Sequence, residues 1–187
     1  MPQKEFIALL AMLFAIVSFS IDGMLPALPQ IARELTPDDI NRAQLIVTSF
    51  VLGMGVGTLF AGPISDTIGR RPAIFCGVGI YIVGSILASI TQSLDLLLAA
   101  RLLQGLGAAG PRIVTLAMVR DLYAGRNMAR IVSFAMMIFT LVPAVAPSIG
   151  ALIIAGFGWR GIFGAVIAFA LIASSWLTLR QPETLLP

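Results

Sequence analysis

Six apolar runs separated by short polar links constrain this chain more than any other feature of its sequence. They lie at about 6–28, 43–61, 73–90, 96–119, 128–154 and 161–179. A helix needs roughly 20 residues to cross about 30 Å of hydrocarbon, and each run is near that length. Backbone groups in hydrocarbon must satisfy one another, which leaves helices or closed barrels. The alternation of a membrane barrel strand is absent, so the expectation is an all-α membrane protein with six transmembrane helices. Composition agrees, with 58% hydrophobic residues and only 11% charged ones, where a soluble domain carries about a quarter. The first run is too long for a signal peptide, lacks a small-residue cleavage site and is followed by further spans, so it reads as retained.

The charges speak for topology. The net charge is +3, and the basic residues cluster in short links, which suits a membrane protein and not a nucleic-acid binder. With the N-terminus inside, Lys4, Arg70, Arg71, Arg120, Arg126, Arg130 and Arg180 face the cytoplasm, and Arg33, Arg42 and Arg160 face outward. That asymmetry favours both termini in the cytoplasm. There is no histidine, and the single cysteine is Cys76. No metal-ligand cluster or nucleophile–base pair can be assembled from such a sequence, so an enzyme and a bound cofactor are not expected.

Ionisable residues inside spans are costly and mark function or structural pairing. Asp22, Arg101 and Arg112 are the three candidates. At about 1.5 Å per residue, Asp22 lies roughly 24 Å from the inner boundary and Arg101 roughly 8 Å from the outer one. Their similar depth allows an acid–base pair between the first and fourth spans. Arg101, Gln104, Ala108, Arg112 and Thr115 fall on one helix face, a polar stripe that should meet protein or a water-filled cavity. The alternative is a set of structural pairs locking the bundle, and Arg112 can also snorkel to the interface.

Three further stretches carry pattern. Gly62–Pro72 packs two glycines, two prolines, Asp66, Arg70 and Arg71 between two spans and reads as a short cytoplasmic turn. The fourth span holds Arg101, Gln104, Gly105 and Gly107, with Pro111 expected to kink it. The fifth holds Pro143, Pro147 and Gly150, two prolines that free backbone groups and bend a helix.

These stretches resemble the major facilitator superfamily. Gly62, Asp66, Gly69, Arg70 and Arg71 match its loop between helices 2 and 3, and Arg101 with Gln104, Gly105 and Gly107 matches its helix-4 motif. Pro147 and Gly150 match the helix-5 signature of its drug–proton antiporters, with Ala146 and Ala151 in place of two glycines. Leu25–Pro29, Val119–Leu122, Gly158–Phe163 and Gln181–Leu185 narrow the resemblance to the Bcr/CflA group of multidrug efflux proteins. That family has twelve spans in two six-helix halves, each made of two inverted three-helix repeats. The resemblance therefore implies that residues 1–187 form an N-terminal half, with the second half absent or replaced by a second copy. It implies proton-driven efflux of small amphipathic drugs across a bacterial inner membrane, with no cofactor beyond the proton gradient. Asp22 and Arg101 would carry proton coupling, and Gln104, Arg112, Thr115 and Met136 would line the substrate cavity. Gly62, Asp66, Gly69, Arg70, Arg71 and Arg120 would form a conformational latch. A metabolite transporter and a non-transporting six-helix partner are the competing expectations.

Overall fold

Glycine and proline decide where the helices of this chain stop, and fewer of them do so than their number suggests. A computed structural model describes residues 2–184. Among these residues all regular structure is helical, and six segments are long and apolar enough to cross a membrane. The first is broken: α1 spans Gln3–Asp22, a 3-10 turn covers Leu25–Ala27, and α2 continues over Leu28–Leu35. Gly23, Pro26 and Pro29 cause the break, since proline withholds the N–H that an unbroken helix would use. The single run expected at 6–28 is thus two helices, and the polar link begins only after Leu35. A second 3-10 turn, Ile40–Gln44, leads into α3, Leu45–Ile68.

The expected turn at Gly62–Pro72 is corrected most. α3 runs through Gly62 and Pro63 to Ile68, and α4 starts at Arg70 and ends at Ile90. Only Gly69 breaks the helix, at φ 100°, a conformation that favours glycine. Gly62 is ordinary helix with open space around it. Pro72 falls in the first turn of α4, where an N–H has no helical acceptor in any case. The last helices are α5, Leu94–Leu122, α6, Gly125–Phe157, and α7, Arg160–Arg180. Pro111, Pro143 and Pro147 all lie inside continuous helices.

α5 is the centre of the packing, held along α3 on one side and α4 on the other. Both seams depend on missing side chains. A Cβ at Gly53 of α3 would collide with the Leu102 carbonyl, and one at Gly105 of α5 would collide with that of Phe50. On the other side, a Cβ at Gly107 would fall on the backbone of Tyr81 and Gly77. Small residues let membrane helices approach this closely, where lipid offers no hydrophobic drive to associate. α1 packs against α6 and α7, with the rings of Phe14 and Phe139 meeting edge to face at 6.2 Å. The outer helices differ sharply. In its most apolar stretch α5 is 61% buried, whereas α3 is 22% and α6 only 11% buried.

The two ends of the bundle are tied by ion pairs. Arg180 Nε donates to Glu5 Oε1 at 2.7 Å, so both termini lie at one end. At the opposite end, Glu34 accepts from Trp159 Nε1 at 2.6 Å and from Arg160 at 2.7 Å. Arg160 also donates to the Thr91 carbonyl, which joins the ends of α2, α4 and α7.

Candidate functional site

Two clusters of charged and polar side chains stand out, one inside the bundle and one at the end carrying the termini. The inner cluster is built on Arg101, which is 1% exposed. Its guanidinium donates to the Ser20 carbonyl at 3.0 Å, to the Ile46 carbonyl at 3.4 Å and to Gln104 Oε1. It also lies 4.5 Å from the centre of the Phe50 ring. Gln104 passes the chain on, its Nε2 donating to Ser85 Oγ at 2.7 Å. Ser20 and Tyr81 share a further buried hydrogen bond between hydroxyls. α1, α3 and α5 thus meet at one guanidinium, whose fork of donors suits several acceptors at once, and Gln104 and Ser20 extend the network to α4. Its acceptors are carbonyls and an amide, with no carboxylate among them.

The expected Asp22–Arg101 ion pair does not form. Asp22 ends α1 and accepts from Ser18 Oγ at 2.8 Å. Two helical residues, about 200° of rotation, separate Asp22 from Ser20, so the carboxylate leaves α1 on the face of Ser18, whereas Arg101 holds the Ser20 carbonyl. Arg101 therefore fixes the backbone two residues before the acid. Gly23, next to Asp22, is also where α6 arrives, because a Cβ at Gly150 would overlap the Gly23 carbonyl. Gly150 of the helix-5 motif therefore packs on the residue next to the candidate coupling acid, while Pro143 is exposed and Pro147 half-buried nearby in sequence.

The expected polar stripe splits. Arg101, Gln104, Ala108 and Thr115 are buried in the seams of α5, whereas Arg112 is exposed and donates to Met54 Sδ at 3.4 Å. Gln104 and Thr115 are therefore packed between helices in this structure, not set on an open wall. Thr115 Oγ1 is buried without a hydrogen-bond partner. Met136, on α6, is 39% exposed.

The second cluster is built on Arg70, the first residue of α4. Its Nε and Nη2 donate to both oxygens of Asp121, at 2.8 and 3.3 Å, and its Nη1 donates to Asp66 and to Ser65 Oγ. The Glu183 carboxylate caps α4, accepting from the backbone N–H groups of Arg70 at 2.9 Å and Arg71 at 3.0 Å. A carboxylate at a helix N-terminus meets both unpaired N–H groups and the positive end of the helix dipole. Thr184 Oγ1 adds a long bond to Asp121 at 3.4 Å, and Arg71 donates to the Thr178 carbonyl. One nine-tenths-buried guanidinium thus binds the ends of α3, α4 and α5, and Glu183 and Arg71 tie the segment that ends α7 to the start of α4. Arg120, expected here, is exposed and makes none of these bonds; its neighbour Asp121 does.

Sequence reasoning missed Asp121, Ser65 and Glu183 as members of this cluster. Asp121 and Glu183 lie within the runs Val119–Leu122 and Gln181–Leu185, so the signal was present without a role attached. Leu185, the last residue of the second run, lies outside the described residues. Nothing in the sequence marks Tyr81 or Ser85, whose importance comes from facing Ser20 and Gln104 across helices.

Comparison with known proteins agrees with this architecture. The chain is 37% identical over 171 residues to a chloramphenicol resistance protein of Pseudomonas aeruginosa, covering 90% of this chain and 40% of that protein. It is 33% identical over 181 residues to a bicyclomycin resistance protein homolog of Haemophilus influenzae, covering 96% and 45%. The chain thus spans less than half the length of these relatives. Among solved structures, the partially occluded inward-open xylose transporter XylE of E. coli superposes with a TM-score of 0.86 at 13% identity, over 98% of this chain and 51% of that one. The human organic anion transporter MFSD10 superposes with a TM-score of 0.75 at 18% identity, over 100% and 49%. With residues 9–186 matching the sequence profile of the family, this six-helix chain belongs to the Major Facilitator Superfamily.

Proposed function

We propose that the chain works as the N-terminal six-helix half of a proton-coupled antiporter that exports small amphipathic drugs across a bacterial inner membrane. One observation carries this reading: nine-tenths of the chain aligns with proteins named for chloramphenicol and bicyclomycin resistance, of which it spans less than half. The names of these relatives favour drug export over metabolite transport. Alternating access in this fold rocks one six-helix half against another around a site between them. The exposed faces of α3 and α6 suit that contact.

Within this reading Asp22 takes up and releases the proton. It sits where α1 breaks, partly exposed, with Ser18 to hold its carboxylate. Arg101 acts on it through the backbone, by fixing the Ser20 carbonyl. The Arg70 cluster latches the bundle at the end carrying the termini, which the excess of basic residues assigns to the cytoplasm. Drug accumulation in cells with and without an uncoupler tests the function, in cells co-expressing this chain and the matching second half of a close relative. Accumulation that falls on co-expression and recovers with the uncoupler is the expected result. Accumulation that ignores the uncoupler removes proton coupling from the reading.

A further inference from the structure

Two cavities run end to end between α1 and α6. The first, of about 320 Å³, opens at the end carrying the termini and is lined by Gln3, Lys4, Ile7, Arg130, Phe134 and Ile138. The second, of about 460 Å³, begins at the same Ile138 and continues past Val142, Val145 and Ile149 to Phe19 and, on α7, Phe169. Its lining is wholly apolar. The combined cleft is therefore cationic at its mouth and greasy along its length. Among the described residues neither Lys4 nor Arg130 takes part in an ion pair. Arg130 lies over the Phe134 ring, 5.7 Å from its centre, and both side chains line the first cavity.

From this geometry we propose that the α1–α6 cleft binds an anionic phospholipid, with the headgroup phosphate between Lys4 and Arg130 and an acyl chain along Phe134, Ile138 and Val145. Charge selects the headgroup, because basic pockets between membrane helices attract anionic lipid. Length selects the chain. From Phe134 to Ile153 the lining follows nineteen helical residues, about 28 Å, room for an acyl chain that spans one leaflet of a roughly 30 Å hydrocarbon core. A protein occupant would need a carboxylate for the mouth. Among the described residues, the carboxylates of a second copy at that end, Glu5, Asp66, Asp121 and Glu183, are all engaged by other groups.

The test uses the full chain in nanodiscs made with phosphatidylglycerol or phosphatidylcholine, with retained lipid counted by native mass spectrometry. Two cations near a membrane surface, at about fivefold each, give an expected preference for phosphatidylglycerol of about twenty-five-fold. Lys4→Gln with Arg130→Gln should bring the two lipids to parity, while Arg126→Gln, a cation outside the cleft, should leave the preference intact. Val145→Trp should lower phosphatidylglycerol retention with every charge in place, because it fills the greasy part of the cleft. Preference that survives the double substitution overturns the proposal. So does retention unaffected by Val145→Trp, which would reduce the site to a simple anion site. A chain that forms dimers and keeps no lipid would hand the cleft to a second copy. None of these readouts depends on drug transport.

Discussion

Arg101 is a buried cation whose attachments are all neutral, and that makes it sensitive in an unusual way. A buried charge is tolerable when its donors are satisfied, and here the carbonyls of Ser20 and Ile46, the Gln104 amide and the Phe50 ring do that work. Lysine would bring a compact ammonium that cannot fork to acceptors on three helices or lie flat on the ring. Arg101→Lys should therefore lower stability by about 1–3 kcal/mol, the usual cost of leaving a buried acceptor unmet. Denaturation in detergent micelles measures this, and an unchanged midpoint would show that the network holds no strain-bearing contact. Asp22→Asn separates proton binding from structure. Ser18 Oγ can still donate to the amide oxygen, so folding should be intact while the titrating group is gone. Efflux driven by a pH gradient in vesicles carrying both halves should be lost. Full retention would move the coupling acid elsewhere in the transporter.

Helices in this molecule are aligned by glycine and fastened by charge, and the two devices predict different failures. Gly107 approaches the backbone of Tyr81 and Gly77 so closely that any larger residue must part α5 from α4. Gly107→Leu should destabilise by about 3 kcal/mol or more, beyond ordinary overpacking, because the obstacle is backbone. Gly55 of α3 meets nothing within 4 Å, so Gly55→Ala should be neutral or stabilise by a few tenths of a kcal/mol to about 1 kcal/mol. Thermal unfolding of the two variants decides this. The Arg70 cluster should fail in function and not in folding. Asp66→Ala removes one of two carboxylates on Arg70 and should slow conformational switching while insertion stays normal. Asp121→Ala should be more severe, because Asp121 supplies both oxygens to the guanidinium. Normal transport by a normally inserted Asp66→Ala protein would remove the latch role. The six helices themselves were legible in the sequence, because apolar length is written residue by residue. Their ends were not. Asp66 and Arg70 look like loop residues by polarity, yet at i and i+4 they pair across a helical rise that only Gly69 interrupts. The site was legible in type more than in partnership: Arg101 and Asp22 stood out by charge, but which carbonyl or hydroxyl each would meet depends on helix rotation, which periodicity leaves open.

At the scale of the whole molecule, the faces of α3 and α6 govern behaviour. Exposed apolar side chains such as Leu52, Leu59 and Phe60 on α3, and Met137, Leu141 and Leu152 on α6, are at home against lipid as much as against protein. The hydrophobic effect therefore gives these faces little reason to associate in a bilayer, and partner choice rests on packing and polar contacts. Insertion needs only the six spans and their flanking charges, so the chain alone should integrate with both ends on one side, as the Glu5–Arg180 pair requires. The polar groups that matter most, Arg101, Gln104 and Thr115, are shielded inside α5's own seams and make no demand for a second half. Of the α5 stripe, Arg112 is left exposed, and it donates to the Met54 sulfur. The chain by itself is therefore expected to insert stably. Transport requires two halves moving against each other around a site between them, so the 187-residue chain expressed alone should accumulate in the membrane and confer no drug resistance. Co-expression with a matching second half should restore resistance, and Arg112→Ala should weaken that restoration more than it weakens insertion. Growth on a graded antibiotic series, read beside membrane-fraction immunoblots, measures both terms. Resistance from the chain alone, together with a specific crosslinked dimer through α3 or α6, would instead show that two copies assemble the complete pathway. Related by an axis along the membrane normal, two chains inserted the same way up satisfy the symmetry that such a pathway needs.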